Sequence, residues 1–253
     1  LTNMPTLATK NIHKHFDGVH AVDHLSLTFP AGKVTGLIGP NGSGKSTLIN
    51  LLTGLYSWDS GTVLIGKETT LASLLPHDIA TYGLTRTFQD VRLFEQMTVL
   101  DNILVVLTDR GVGSALFERH GSFHLERAEA VLEKIGLWGK RAELASSLSY
   151  GQRKLLEIAR ALAMTHAPSG EATTFFFDEP FAGLFPEMVK IVVGIIKELR
   201  AEGKTVILVE HNMELIRELS DWCVVLDSGK LLAEGEPEAV LRDPRVIEAY
   251  LGE

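Results

Sequence analysis

The run Gly39–Thr47, GPNGSGKST, constrains this chain more than any other stretch of it. An apolar, β-branched segment, KVTGLIG (Lys33–Gly39), leads into it, and KSTLINLLTGL follows with apolar residues at helical spacing up to Gly54. Strand, glycine turn and helix in that order build a loop whose backbone N–H groups face inward at the positive end of the helix. Such a loop cradles phosphate oxygens, and the run fits G-x-x-x-x-G-K-S/T at every fixed position. Gly39, Pro40, Asn41, Gly42, Ser43 and Gly44 supply the cradle. Lys45 is the cation for β- and γ-phosphates, Ser46 a hydroxyl ligand for Mg2+, and Thr47 a second hydroxyl near the α-phosphate. The competing reading, a chance glycine turn before a helix, does not account for the strand in front of it.

A second element, TFFFDEP, is an apolar strand ending in two carboxylates. Asp178 at its end suits the water shell of Mg2+, and Glu179, one residue on, suits the polarising of an attacking water. Alone, an acidic pair after a strand is commonly a helix cap; together with the glycine loop it implies a Mg-nucleotide site. A guanine-reading N-K-x-D motif is absent.

The rest of the chain alternates. Before Pro30, stretches such as HAVDHLSLTF predict paired antiparallel strands. From about Asp90 to His166 the pattern is helical: TVLDNILVVL, HLERAEAVLEKIGLW and GQRKLLEIARALAMTH. Strands return as TTFFFDEP, KTVILVEH and DWCVVLD, with the helices EMVKIVVGIIKELRAEG and NMELIRELSD between them, which predicts a parallel sheet covered on both faces. DSGK reads as a turn and EPEAVLRDPRVIEAYLGE as short surface helices. The organisation predicted is a single domain, 1–253, with an α/β core at 1–89 and 167–253 and a helical subdomain at 90–166.

Composition narrows the partners. With 253 residues, 45% of them hydrophobic, the chain can bury a core without covalent staples. Its one cysteine, Cys223, builds neither a disulfide framework nor a cysteine-rich metal site and fits a reducing cytoplasm. A net charge of −8 argues against nucleic acid, which needs a basic face. Apolar runs such as Val99–Leu107 and Ile191–Ile196 fall short of the roughly 20 residues that span a bilayer, and the start lacks a signal core. Any membrane role is therefore expected to come through a partner.

What narrows the class is LSYGQ (Leu148–Gln152), directly before a helical run. It resembles the L-S-G-G-Q signature of ABC ATPases, with a tyrosine in place of the first glycine. The resemblance covers essentially the whole chain, with all elements in family order. It implies a P-loop NTPase (RecA-like) core with a mostly parallel sheet, an N-terminal antiparallel β subdomain and an inserted helical subdomain. It also implies ATP and Mg2+ as ligands, and a second cassette bound head to tail, whose γ-phosphate the signature residues Ser149, Gly151 and Gln152 would close over. A helix start suits an anion, and the plainer reading of Ser149 as an N-cap coexists with that role. By the same resemblance Gln89 is the glutamine that touches Mg2+ and senses the partner, and His211 the switch histidine that contacts the γ-phosphate and supports Glu179. The other eight histidines are expected at the surface or as satisfied core groups. Phe16, in HKHFDGVHAV, matches the aromatic that stacks on adenine, with a hairpin or core aromatic as its rival.

Within the group, GLTRTFQDVRLFEQMTVLDN (Gly83–Asn102) and DPRVIEAYLGE look like the ATPases of branched-chain amino acid uptake systems; lipopolysaccharide-export ATPases share part of the pattern. This implies an ATP-hydrolysing subunit on the cytoplasmic face of the inner membrane, held there by a permease and served indirectly by a substrate-binding protein. Val91, Leu93, Phe94 and Met97 either dock that permease or fill the subdomain core. The sequence departs from the family in three places: Phe185 in FAGLF where a polar residue is usual near the dimer interface, a long polar MTHAPSGEATT expected as an exposed loop, and a short linker at Thr108–Ser122. A soluble cassette acting as a conformational clamp and a nucleotide-binding regulator are the rival classes.

Overall fold

Alternation before Pro30 resolves into two long strands, β1 (Leu7–Phe16) and β2 (Val19–Phe29), closed by a turn at Asp17 and Gly18 with φ of 45° and 87°. Two successive left-handed residues give a turn whose twist matches the strands it joins, and Asp-Gly is a favoured pair there. The structure, a computed structural model, describes residues 7–66, 69–107, 122–166 and 171–251. The linker at 108–121 and residues 167–170 of the polar stretch lie outside the described residues.

After β3 (Val34–Ile38), strands β4 (Ser60–Ile65) and β5 (Thr69–Leu71) extend the first sheet in the order β2-β1-β4-β5, antiparallel throughout. The second sheet joins β3 to β6 (Leu84–Arg86), β7 (Thr174–Asp178), β8 (Thr205–Val209), β9 (Trp222–Asp227) and β10 (Lys230–Gly235), in the order β10-β9-β3-β8-β7-β6. Every neighbour pair in it is parallel except β9 with β10. The sequence reading contained β1, β2, β3, β7, β8 and β9; it lacked the three-residue strands β5 and β6, and also β4 and β10.

β3, β7 and β8 are buried at every residue, which is why they read as unbroken apolar runs. Their side chains alternate between two layers. Phe176, Ile207, Val209, Val224 and Leu226 join the antiparallel sheet and α1 (Lys45–Leu52). Phe175, Phe177, Val206, Leu208, Cys223 and Val225 join the helices of the other face: α2 (Val99–Leu107), α3 (Ser122–Lys134), α4 (Tyr150–Ala163), α5 (Pro186–Ala201) and α6 (Met213–Leu219). The short α7 (Pro237–Val240) and α8 (Pro244–Leu251) contribute Val240 and Val246 to that same cluster. Fully burying one phenylalanine is worth roughly 2–3 kcal/mol, so the three in succession on β7 bind both layers to the sheet.

Because β3, β8, β7 and β6 are parallel neighbours, their carboxyl ends share one edge, the edge where open α/β sheets bind ligands. Gly39, His211, Glu179 and Gln89 all fall just beyond those ends. Among the described residues no helix is long and apolar enough to cross a membrane.

Candidate active site

The glycine loop is shaped by its own residues. Gly39 has φ of 148°, and a Cβ there would sit 2.1 Å from the Leu226 carbonyl oxygen; at Gly44, with φ of 102°, a Cβ would sit 2.4 Å from that of Ala21. Lys45 starts α1 and turns back under the loop, where its Nζ donates to the carbonyls of Gly39 at 2.7 Å and Pro40 at 2.8 Å. Two outside contacts pin the loop: the Gly229 N–H donates to the Ser43 carbonyl at 3.0 Å, and the Gly39 N–H donates to Tyr250 Oη at 2.6 Å.

Above the loop lies a cavity of about 470 Å³, lined by Asn41 to Thr47, by Val19, His20 and Ala21, by Ser228, and by Gln89, Glu179 and His211. The last three are joined. His211 Nε2 lies 3.0 Å from Glu179 Oε1, and Gln89 Nε2 donates to Glu179 Oε2 at 3.3 Å. Glu179 itself holds φ of 48°, a left-handed conformation that costs a non-glycine residue on the order of 1–3 kcal/mol and persists where surrounding structure enforces it. Here its N–H is held by the Val209 carbonyl at 3.0 Å.

Asp178 stands behind this group, buried, and does not line the cavity. Its Oδ2 accepts from Arg86 at 3.1 Å, and Arg86 also donates to Asn50 of α1 and to Thr53, which caps that helix, at 2.6 and 2.9 Å. One guanidinium thus ties β6, β7 and α1 together. Burial raises the Asp178 carboxyl against the pull of Arg86, and burial lowers Arg86. For a hard cation, which takes oxygen donors, the cavity offers the Ser46 hydroxyl, the Gln89 amide oxygen and the Glu179 carboxylate, with Asp178 one layer deeper; this donor set fits Mg2+.

Gln89 is positioned by α4. Lys154 Nζ donates to the Gln89 carbonyl at 3.3 Å, while Glu157 Oε1 accepts the N–H groups of Phe88 at 3.1 Å and Arg92 at 3.4 Å. Arg160 donates to the Arg92 carbonyl at 2.5 Å, and the guanidinium groups of Arg86 and Arg92 stand over the Phe88 ring, 4.7 and 4.1 Å from its centroid. Burial pushes the Glu157 carboxyl up to about 6. These residues were missed in the sequence, although charged side chains at 154, 157 and 160 form a spacing-of-three row along one side of a helix rich in buried positions.

The other expected residues lie elsewhere. Ser149 caps α4 in a reciprocal capping box with Gln152, and a Cβ on Gly151 would meet Met188 Sδ at 2.6 Å. None of the three lines the cavity around the chain's own glycine loop. Pro40 shapes the loop from its outer side, beside α8. Phe16 does not line the cavity either; it ends β1, 40% exposed, edge-on to Tyr56 at 5.3 Å. Of the apolar run after Gln89, only Phe94 is an exposed large side chain, while Leu93 packs on the core. Phe185 is 74% exposed at the start of α5.

Residues 22–182 match the family described as ABC transporter, and residues 230–253 the one described as Branched-chain amino acid ATP-binding cassette transporter. The chain is 40% identical to the high-affinity branched-chain amino acid transport ATP-binding protein LivG of Salmonella typhimurium, with 99% of each chain covered. It is 38% identical to the corresponding protein BraF of Pseudomonas aeruginosa, with 98% of each covered. Among solved structures, a nucleotide-free ATP-binding cassette from an ABC transporter superposes with a TM-score of 0.83 at 35% identity, over 99% of this chain and 100% of that one. The ADP conformation of the cassette MJ1267 gives 0.82, also at 35% identity and the same coverage. With essentially the full length of each chain covered, the chain belongs to the ABC transporter family, as one of its nucleotide-binding, ATP-hydrolysing cassettes.

Proposed function

We propose that the chain is the ATPase subunit that drives a separate membrane permease for branched-chain amino acid uptake. The observation that carries the chemistry is the joined group Gln89–Glu179–His211 facing the Lys45 loop across one cavity. The relatives' names and the match at the carboxyl end support the substrate class.

In this reading Gly39 to Thr47 hold the triphosphate of ATP, with Lys45 leaving the loop carbonyls to meet the β- and γ-phosphates. Ser46 and Gln89, with Asp178 behind them, hold Mg2+, which when bound neutralises phosphate charge. Glu179 orients and polarises the water that attacks the γ-phosphate in line, and His211 fixes the Glu179 carboxylate from the neighbouring strand end. Catalysis by such a site is mostly positioning and charge stabilisation. Phe16 stacks on adenine at the cavity's open side. Ser149, Gly151 and Gln152, placed away from their own loop, complete the site of a second cassette in a head-to-tail dimer, across which exposed Phe185 lies. The loop after Gln89, with Phe94 outward, meets the permease on the cytoplasmic face of the membrane, and a substrate-binding protein acts on the permease's far side.

Glu179→Gln is the test. It keeps the side chain's shape and removes the charge, so ATP turnover should fall on the order of 10²–10⁴-fold while ATP binding persists. Unchanged turnover would remove Glu179 from the mechanism. For the transport reading, the protein should co-purify with integral membrane subunits from solubilised membranes; recovery of soluble partners alone would exclude it.

A further inference from the structure

One end of the β1–β2 hairpin, beside the glycine-loop cavity, gathers imidazoles. His13 and His15 are two residues apart on β1 and share a face, while His20, Asp23 and His24 come from β2. The pairing shifts register between Ile12 and His15, and His24 takes φ of 50°. Such irregularities re-aim side chains. Here they bring the His13 ring within 5.0 Å of His20 and 4.6 Å of His24, centroid to centroid.

His13 sits at the centre. Its Nδ1 is buried with no hydrogen-bond partner, although Asp23 Oδ1 is 3.6 Å away, and its Nε2 lies 3.4 Å from His20 Nδ1. Buried polar atoms ordinarily find partners, and both separations are long for a hydrogen bond. They run from opposite nitrogens of the His13 ring, of which a single ion takes one. One ligand atom each from His13, His20 and Asp23 falls within 4.8 Å of the others. Asp23 is held in place: its Oδ1 accepts from His24 Nδ1 at 2.7 Å, and Lys230 steadies Oδ2 at 3.3 Å. A second triad, His13, His15 and Asp59, has the same span, but Asp59 is more tightly engaged than Asp23, by Lys14 at 2.8 Å and by the His15 N–H and ring at 2.8 and 2.7 Å.

We propose that His13, His20 and Asp23 form a binding site for one divalent transition-metal ion of the Zn2+ class, with His24 orienting the carboxylate. Imidazole-rich sites favour Zn2+, Cu2+ and Ni2+ over Mg2+, which prefers oxygen. The site is distinct from the one for Mg-nucleotide, although His20 also forms part of that cavity's wall. Cys223 is buried and offers no competing thiolate.

The experiment titrates Zn2+ into untagged, metal-stripped full-length protein without nucleotide, in millimolar Mg2+, against a chromogenic chelator. The expected result is one Zn2+ per chain, with binding at least tenfold weaker in His13→Ala and in His20→Ala and unchanged in His77→Ala, which lies outside the cluster. His20 is exposed, so His20→Ala decides the matter if His13→Ala does not fold; Zn2+ should raise the melting temperature of the unaltered protein and not of His20→Ala. No stoichiometric binding, displacement by Mg2+, equal affinity in His20→Ala, or loss in His15→Ala without loss in His20→Ala would each overturn the assignment.

Discussion

Two loops meet at the cavity, and they are held in opposite ways. Gly39–Thr47 is shaped from within: left-handed glycines set its path and Lys45 bonds its own carbonyls. The segment 87–98 is neither helix nor strand until α2 begins, and it is held from outside. Lys154, Glu157 and Arg160 of α4 grip it at Phe88, Gln89 and Arg92, and Asn102 of α2 bonds both the N–H and the carbonyl of Phe94 at 3.0 Å. Each loop still delivers a polar side chain to the same cavity. A loop can therefore be placed by its own residues or by buried charges far away in sequence, and only the first kind is visible as a motif.

The comparison breaks most sharply at Gly39. In Gly39→Ala the new Cβ would meet the Leu226 carbonyl at 2.1 Å in a left-handed backbone. Overpacking and backbone strain together should cost about 4 kcal/mol, read by urea unfolding, with nucleotide binding lost. A variant that melts like the parent would show that the loop is not self-determined. Arg86→Met is the matching blow to the outside-held region. It strands buried Asp178 and frees Asn50 and Thr53, and removing one partner of a buried ion pair should cost about 3 kcal/mol. Unlike Gly39→Ala, it leaves the glycine loop's own bonds intact, so residual ATP binding in the folded fraction separates the two.

This contrast also explains what could be read beforehand. The glycine loop, the apolar strands before Asp178 and His211, and the capped start of α4 were legible because local pattern dictates them. β6, Leu84–Arg86, was not: three residues at a sheet edge carry no periodicity, and only pairing with β7 makes them a strand. Nor was the role of Arg86 or Glu157, since each acts on chain remote in sequence. The histidines of β1 and β2 were expected at the surface or in the core, and their gathering depends on register shifts that sequence alternation does not record. Phe16 was singled out by its resemblance to an adenine-stacking aromatic, and its edge-on contact with Tyr56, set by tertiary structure, had no local signal.

Glu157 gives a measure of the outside grip that can be tuned with pH. Its carboxyl is raised from 4.5 to about 6 by burial, so between those values the folded state holds a proton that the unfolded state has released. Its contribution to stability is complete below about pH 4.5 and is lost as pH rises through about 6. Glu157→Gln removes the titration and keeps an oxygen to accept from Phe88 and Arg92. Relative to that variant, the unaltered protein should lose about 2 kcal/mol between pH 4.5 and 7, measured as the difference between paired urea melts. Parallel pH profiles would mean that the carboxylate is ionised at no cost and that the grip is looser than its geometry.

The smallest effect tests whether the glycine loop is wholly self-held. Its buried Gly39 N–H donates to Tyr250 Oη at 2.6 Å, a contact from the far end of the chain. Tyr250→Phe keeps the aromatic ring and deletes the hydroxyl that accepts from Gly39. A buried N–H left without a partner costs about 1 kcal/mol or somewhat more, so a drop of that size in urea stability, with ATP binding weakened less than tenfold, is expected. A loss as large as that of Gly39→Ala would mean that α8 determines the loop's shape, and the glycine loop would then join the 87–98 segment as a structure held from outside.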